Sequence, residues 1–382
     1  MTKKGRQTPL YAEHLASGAK MINFHGWLMP LSYRGVSEEV KSVRKKAGLF
    51  DLSHMGEIKV GGKEASSFLQ FVTTNDLSRL APGQMQYSFF LSSEGTVLDD
   101  FMLYRLAGDE FMAVVNAGNT EKIFKHLQRQ RFDKVELANL TENLALIGLQ
   151  GPNSEKIFRE VVEEDLDGFK FLHSKEFRVA GEKALVSRSG YTGEDGFEVY
   201  LDENKAPKVW RAIMDAGRPL GLEPAGLGAR DILRCEMGYP LYGHEWDETI
   251  TPWEAGFSWA VKLNKNFLGK EALLEKKGRI SQTLAAFVMK EKAVPRTGYL
   301  IKDDPSTRTS AELSRKPSGR ERKNIGRVTS GTFSPIRGDF IGMGYILKDF
   351  ARPGEIISIE IRGKLMPAEI VRLPFVKPHL RK

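Results

Sequence analysis

The stretch Glu94-Gly95-Thr96-Val97-Leu98-Asp99-Asp100-Phe101-Met102-Leu103-Tyr104 constrains the fold more than any other part of the chain. Turn residues at Ser92-Ser93-Glu94-Gly95 lead into β-branched, large apolar and aromatic residues, the signature of a strand entered from a tight turn. Side chains alternate across a strand, so Val97, Asp99, Phe101 and Leu103 share one face and Leu98, Asp100, Met102 and Tyr104 the other. Both faces are mostly apolar, and the strand is therefore expected to be covered on both sides. Two adjacent carboxylates nevertheless sit in its middle, one per face. A buried carboxylate without a partner is costly. At least one of the two is expected to point into an interior or a pocket and to have a partner or a task there. The alternative is an edge strand with both acids solvated or salt-bridged.

Amphipathic spacing on either side of this strand points to an α+β body of antiparallel sheets flanked by helices. Glu38 to Ala47 has helical spacing, and Leu49-Phe50-Asp51-Leu52 is expected to end that helix in a turn. Helices are expected over Glu64–Val72 and Asn119–Gln130, the second capped near Asn119. Another opens near Ser154, and two more cover Ala206–Ala216 and Gly228–Glu236. Strands are expected at Tyr87–Leu91, Phe111–Val115 and Leu144–Leu149. Lys183–Ser187 and Gly196–Leu201 read as a hairpin. Past about Gly278 the pattern becomes a series of short strands between Gly and Pro turns, which suggests a small all-β barrel.

With 382 residues the chain is expected to hold two or three domains. No apolar run approaches the ~20 residues that span a bilayer, and the basic N-terminus has no apolar stretch behind it, so no membrane association and no secretory signal are expected. The single cysteine, Cys235, excludes an internal disulfide and a cysteine-rich metal centre, and a cytoplasmic setting follows as the simple expectation. Its neighbours Leu233 and Met237 mark it as a packed thiol rather than a nucleophile. The net charge of +8 admits an anionic ligand, an acidic protein partner or nucleic acid. Part of the excess lies in a loop carrying Arg308, Arg315, Lys316, Arg320, Arg322, Lys323 and Arg327. No aromatics are interleaved there, so no nucleic-acid partner is expected, and the segment reads as a solvated insertion. The seven histidines form no ligand pair, and no metal is expected. His54 and His244 lie in turns, where each is either functional or merely structural. Neither a phosphate-binding P-loop nor a dinucleotide fingerprint occurs.

Three further segments are rich in ligand-type residues. Ser189 to Glu198 combines backbone freedom with aromatic, hydroxyl and carboxylate groups, and Glu198 and Tyr200 share a strand face. Pro224 to Asp231 enters a helix at a glycine-rich turn with Arg230 near its start. Met237 to Glu245 adds aromatics. A carboxylate accepting paired N–H donors, an arginine and several tyrosines suit a planar ligand with amide-like edges.

Taken together these segments resemble the T-protein (aminomethyltransferase) family of the glycine cleavage system along essentially the whole chain. The matching residues are Gly18-Ala19-Lys20-Met21, Gly26-Trp27-Leu28-Met29-Pro30, Asp51-Leu52-Ser53-His54-Met55-Gly56, Thr74-Asn75-Asp76 and Asp99-Asp100. They continue with Gly190 to Glu198, Gly226 to Asp231, Val328-Thr329-Ser330-Gly331 and Ser334-Pro335. The resemblance implies a three-lobed, ring-like folate-binding fold, with the folate-binding region over residues 1–275 and a C-terminal β-barrel over 276–382. It implies tetrahydrofolate as co-substrate and the lipoylated H-protein as partner. It also implies transfer of the one-carbon unit of the aminomethyl group to folate with release of ammonia. Residue by residue, it implies that Asp100 contacts the nitrogen joining the pterin and benzoyl sides of folate. Glu198 would hold the pterin's donor edge, and Tyr87, Val115, Tyr191, Arg230 and Tyr239 would line the site. Leu172 stands where some members have a tyrosine, the connection from Asp303 to Lys323 is longer than usual, and the tail from Pro374 carries no assignment. Relatives of the same fold offer other readings. These are the folate-binding module of sarcosine and dimethylglycine oxidising enzymes, a folate-dependent demethylase of dimethylsulfoniopropionate, and a non-enzymatic folate-binding protein supporting iron–sulfur cluster assembly. The first follows a flavin domain, and the last carries a cysteine motif where this chain has Gly238 to Glu245 without one.

Overall fold

In the computed structural model, residues 5–304 and 322–380 are described. The basic residues Arg308, Arg315, Lys316 and Arg320 lie outside them. Three open sheets precede a closed barrel. A short sheet joins Arg6–Gln7, Trp27–Ser32 and Lys20–Phe24. A six-stranded sheet runs Ser174–Val179, Glu182–Ser187, Gly196–Asp202, Leu144–Gln150, Ala47–Asp51 and Leu222–Pro224. A five-stranded sheet runs Met85–Leu91, Val97–Ala107, Glu110–Val115, Gly56–Gly61 and Glu136–Asn139. Six strands between Gln282 and Val371 close the barrel, so an α+β body with a C-terminal all-β barrel is what the chain forms. No described helix is long and apolar enough to cross a membrane.

The two larger open sheets each bury one face under helices. Ile58, Val60, Phe101, Leu103, Phe111 and Val115 of the five-stranded sheet pack with Phe68, Leu69, Ile123 and Leu127 from the helices Ala65–Val72 and Thr120–Gln130. The alternation expected for this strand brings this about from Asp99 onward, but an irregularity in the pairing at Leu98 reverses it at the start: Leu98, expected on the Asp100 face, packs on the helix-covered core, and Val97 joins Phe89 and Leu91. Phe101 and Leu103 enter the helix-covered core, while Met102 and Tyr104 face the six-stranded sheet. There Tyr104, Met112 and Val114 meet Phe50, Leu52, Leu146 and Tyr200 in a layer between the two sheets. Gly95, at a φ of +74° in the turn before the strand, has a backbone conformation that disfavours a side chain.

Two local expectations are corrected. Leu49-Phe50-Asp51 does not end a helix in a turn. Ala47–Asp51 is a fully buried strand between Leu144–Gln150 and Leu222–Pro224, because an apolar run covered on both faces is worth more inside a sheet than at a helix end. The helices beginning at Thr120 and Ser154 have no side-chain cap. Asn119 instead spends its amide on Asp99, 2.6 Å away.

Buried polar contacts fasten the barrel to the body. Arg234, on the helix Leu227–Met237, reaches Glu245 and Ser330 at 2.8 Å each. Ser334 donates to Glu236 at 2.6 Å, and Tyr345 to the Glu245 carbonyl at 2.8 Å. Cys235 is buried against Ile341, Met343 and Phe375, as its apolar neighbours imply.

Candidate active site

The Val97–Ala107 strand lies between two others in its sheet, so Asp99 and Asp100 are not edge residues. Asp100 is half-buried. Its Oδ2 accepts from the Tyr87 hydroxyl at 2.8 Å and its Oδ1 from the Asn116 side-chain amide at 2.9 Å. Asp99 is fully buried and accepts from the Asn116 backbone N–H at 3.1 Å, the Asn116 side chain at 2.8 Å and Asn119 at 2.6 Å. Burial pushes Asp100 up to about 6. Burial and then the Asp100 charge push Asp99 up to about 8. The Tyr87 hydroxyl is held well above its ordinary range by burial and by Asp100. The Tyr87 ring lies 5.6 Å from Trp259, which is 54% exposed, so a wall of aromatics leads from solvent towards Asp100.

The second half of the site comes from the six-stranded sheet. Glu198 stands opposite Ser187 across the hairpin and accepts from the Ser189 hydroxyl at 2.5 Å. Burial raises its carboxyl, while the Ser189 hydrogen bond and the Arg230 charge pull the other way. Phe50, Leu52, Gln150, Tyr191 and Arg230 line a small pocket with it. Arg230 lies over the Tyr191 ring at 4.7 Å, and Tyr191 stacks on Tyr239 at 5.7 Å. Among the described residues the Arg230 guanidinium makes no hydrogen bond or ion pair. It is a desolvated cation with its donors unspent, and burial lowers its pKa. Arg230 and Tyr191 also line an adjoining cavity of about 420 Å³ that reaches Asn116, the residue holding Asp100. The charge of Asp100 is felt at Tyr191, which ties the two halves into one site.

Asp100 and Tyr87 thus form one group and Glu198, Tyr191, Arg230 and Tyr239 another, and the cavity lined by Asn116, Tyr191 and Arg230 adjoins both. Val115 stands apart. Its neighbour Val114 faces the layer between the sheets, so the Val115 side chain points the opposite way into the helix-covered core. In the Ser189–Glu198 segment, Glu194 and Asp195 are structural rather than cavity-lining. Arg44 pairs with Glu194 at 2.8 Å and Arg188 with Asp195 at 2.5 Å. A Cβ at Gly190 would collide with the Gln150 side chain. Leu172 adopts a left-handed φ of +59° and packs beside the layer between the sheets. His54 is buried, and burial and then the Arg230 charge push it down to about 3.

Sequence reasoning missed Asn116. Its signal was an asparagine directly after a strand, with a second at Asn119, facing two adjacent carboxylates. Tyr104 and Ser187 gave no such signal. Among the described residues no group of three or more His, Cys, Asp or Glu is placed to hold a metal ion.

Residues 10–265 match the family model of the GCVT N-terminal domain, and residues 282–377 that of the glycine cleavage T-protein C-terminal barrel domain. The aminomethyltransferase of Halothermothrix orenii is 45% identical over 373 residues, 97% of this chain and 100% of that protein. That of Thermotoga maritima is 41% identical over 379 residues, 99% of each chain. The crystal structure of glycine cleavage system aminomethyltransferase T from Bartonella henselae is similar with a TM-score of 0.88 at 33% identity, covering 99% of both chains.

Proposed function

The chain belongs to the glycine cleavage T-protein family of aminomethyltransferases, and we propose that it carries out that transfer with tetrahydrofolate as acceptor and the aminomethylated lipoyl arm of the H-protein as donor. The methylene carbon exchanges its bonds to sulfur and to the amino nitrogen for two bonds to folate nitrogens. The two protons those nitrogens lose leave on the dihydrolipoyl thiol and on ammonia.

The observation that carries this reading is the carboxylate of Asp100, held by Tyr87 and by Asn116, which itself lines a cavity that also presents Arg230 and Tyr191. A planar folate suits the residues present. Glu198 accepts from paired N–H groups, Tyr191 and Tyr239 give flat apolar walls, and the unspent guanidinium of Arg230 grips a carbonyl or an anion. Asp100 then takes the nitrogen between pterin and benzoyl as a hydrogen-bond donor and receives its proton as the carbon arrives. In this reading residues 1–275 bind folate, 276–382 form the supporting barrel, and the enzyme works in the cytoplasm.

The test is ammonia release from aminomethylated H-protein with and without tetrahydrofolate. Release that ignores folate, or that survives unchanged in Asp100→Asn, overturns the assignment.

A further inference from the structure

A row of buried hydroxyls runs inward from Glu198. Ser189 Oγ donates to Glu198 Oε2 at 2.5 Å, and Ser187 Oγ lies 2.7 Å from Ser189 Oγ. Tyr104 Oη lies 3.1 Å from Ser187 Oγ, and Tyr200 Oη lies 2.8 Å from Tyr104 Oη. Ser187, Ser189, Tyr104 and Tyr200 are all buried, and Tyr104 crosses from the five-stranded sheet to the six-stranded one.

Each hydroxyl has a single proton to give, and an ionised carboxylate only accepts. An ionised Glu198 therefore fixes the direction of the whole row. Ser189 donates to Glu198, Ser187 to Ser189, Tyr104 to Ser187 and Tyr200 to Tyr104. Bonds aligned in this way in a low-dielectric interior polarise one another.

We propose that the row Tyr200, Tyr104, Ser187 and Ser189 positions Glu198 and keeps it an acceptor, so that Tyr104 and Ser187, which do not line the cavity, set the affinity for a ligand carrying paired N–H donors. This rests on the folate reading of Glu198 above.

The charged and titratable groups around Glu198 are few. Arg230, from the helix Leu227–Met237, favours the ionised form, and so does the Tyr104 hydroxyl. Tyr104 and Tyr200 face it from their two sheets, and the charge of Glu198 is felt at both hydroxyls. At the far end Glu57, a buried carboxyl whose oxygens have no hydrogen-bond partner among the described residues, acts on Tyr200 rather than on Glu198. Loss of a donor along the row has one sign. The Glu198 carboxyl protonates more readily, and the fall in ligand binding at acid pH moves to higher pH.

The experiment is calorimetric titration of tetrahydrofolate, from acid to neutral pH, into the full-length enzyme and the variants Ser189→Ala, Ser187→Ala, Tyr104→Phe and Tyr200→Phe, with thermal unfolding alongside. The ligand is the same throughout, so its own titration cancels. The acid midpoint is expected to rise most in Ser189→Ala and progressively less in Ser187→Ala, Tyr104→Phe and Tyr200→Phe. Affinity at neutral pH should fall about tenfold or more in Ser189→Ala, the loss expected for one hydrogen bond to a charged group. Unchanged midpoint and affinity in both Ser187→Ala and Tyr104→Phe overturns the proposal. A largest effect in Tyr200→Phe does the same, since every variant deletes one hydroxyl and the effect would then not follow position in the row. Glu198→Gln separates the two levels. If it leaves affinity intact, the folate reading of Glu198 fails and the row's role fails with it. If it weakens binding while the inner variants do not, the role of the row alone fails.

Discussion

Asp99 and Asp100 point to opposite faces of one strand yet share a single side-chain nitrogen, Asn116 Nδ2, which lies 2.8 Å from the first and 2.9 Å from the second. The same nitrogen is 3.0 Å from the Asp100 carbonyl. Two protons serve three acceptors there. Asp100 accepts from the Tyr87 hydroxyl beside it, and Asp99 closes the other side of the clamp with three N–H donors. The pair therefore divides its work between chemistry and position.

Asp100→Asn is expected to fold normally and to lose roughly a hundredfold to ten-thousandfold in folate-dependent transfer, the usual cost of removing one positioned acid–base group. Asp99→Asn presents an amide to donors that need an acceptor, so it should lower Tm and displace Asn116. Its rate loss in single-turnover experiments should stay below that of Asp100→Asn. A larger rate loss in Asp99→Asn would mean that Asp99, not Asp100, meets the substrate.

Both carboxyls are raised from 3.8, Asp100 to about 6 and Asp99 to about 8. At this pair the native state thus holds protons that the unfolded chain has already released, and the pair's contribution to stability falls as pH rises across the window from 3.8 to about 8, against the opposite trend of His54. Asp99→Asn should flatten that slope in denaturant midpoints measured against pH, whatever it does to the absolute value. Activity has the opposite trend, because Asp100 serves as an acceptor. The rate at limiting folate should rise through about pH 6 and lose that inflection in Asp100→Asn. A slope that Asp99→Asn leaves unchanged would contradict the burial of the pair.

The strand around Asp100 was legible because it follows the period-2 rule from Asp99 onward, though not at Val97 and Leu98, and the barrel because its strands repeat between Gly and Pro turns. The short strand Ala47–Asp51 was not. Four buried residues around Phe50 carry no periodicity, and only the pairing partners Leu144–Gln150 and Leu222–Pro224, far away in sequence, decide that they extend. The site divides in the same way. Asp100 and Glu198 stand out as carboxylates on apolar strands, and Arg230 as a cation at a glycine-rich helix start. Asn116 and the hydroxyls of Tyr104 and Ser187 acquire meaning only from cross-sheet distances that no local pattern encodes.

Arg230 offers a separation of stability from function. Its guanidinium is desolvated, stacked on Tyr191 and without a hydrogen-bond or ion-pair partner among the described residues. Arg230→Met keeps much of the side-chain volume and removes the buried charge, so the ligand-free enzyme should show an unchanged or raised Tm. Tetrahydrofolate affinity should fall, by roughly tenfold or more if the guanidinium spends its donors on the ligand. Arg230→Lys should not restore it, because a lysine lacks the planar fork that stacks on a ring. Full affinity in Arg230→Met would remove Arg230 from the folate site.

Arg44 is the cation on which the Tyr191 loop depends. It donates to Glu194 at 2.8 Å, to Glu236 at 2.8 Å and to the Thr192 carbonyl at 2.6 Å, and both carboxylates have fully buried side chains. Removing it leaves Glu236 with only the Ser334 hydroxyl and Glu194 with only the half-exposed His379 ring, so Arg44→Met is expected to destabilise the protein by about 3–5 kcal/mol in chemical denaturation. Adding Glu194→Gln and Glu236→Gln to that variant should recover part of the loss, since the penalty comes from the stranded charges. Lys41, on the same helix, forms an exposed pair with Glu38, and Lys41→Met should change stability by only about 0–1 kcal/mol. Because Arg44 also holds the Thr192 carbonyl next to Tyr191, the surviving folded fraction of Arg44→Met should bind tetrahydrofolate more weakly. Equal stability in the Arg44 and Lys41 variants would show that the two glutamates find other partners, and the loop would then owe its position to Gln150 and Met237 packed around its glycines.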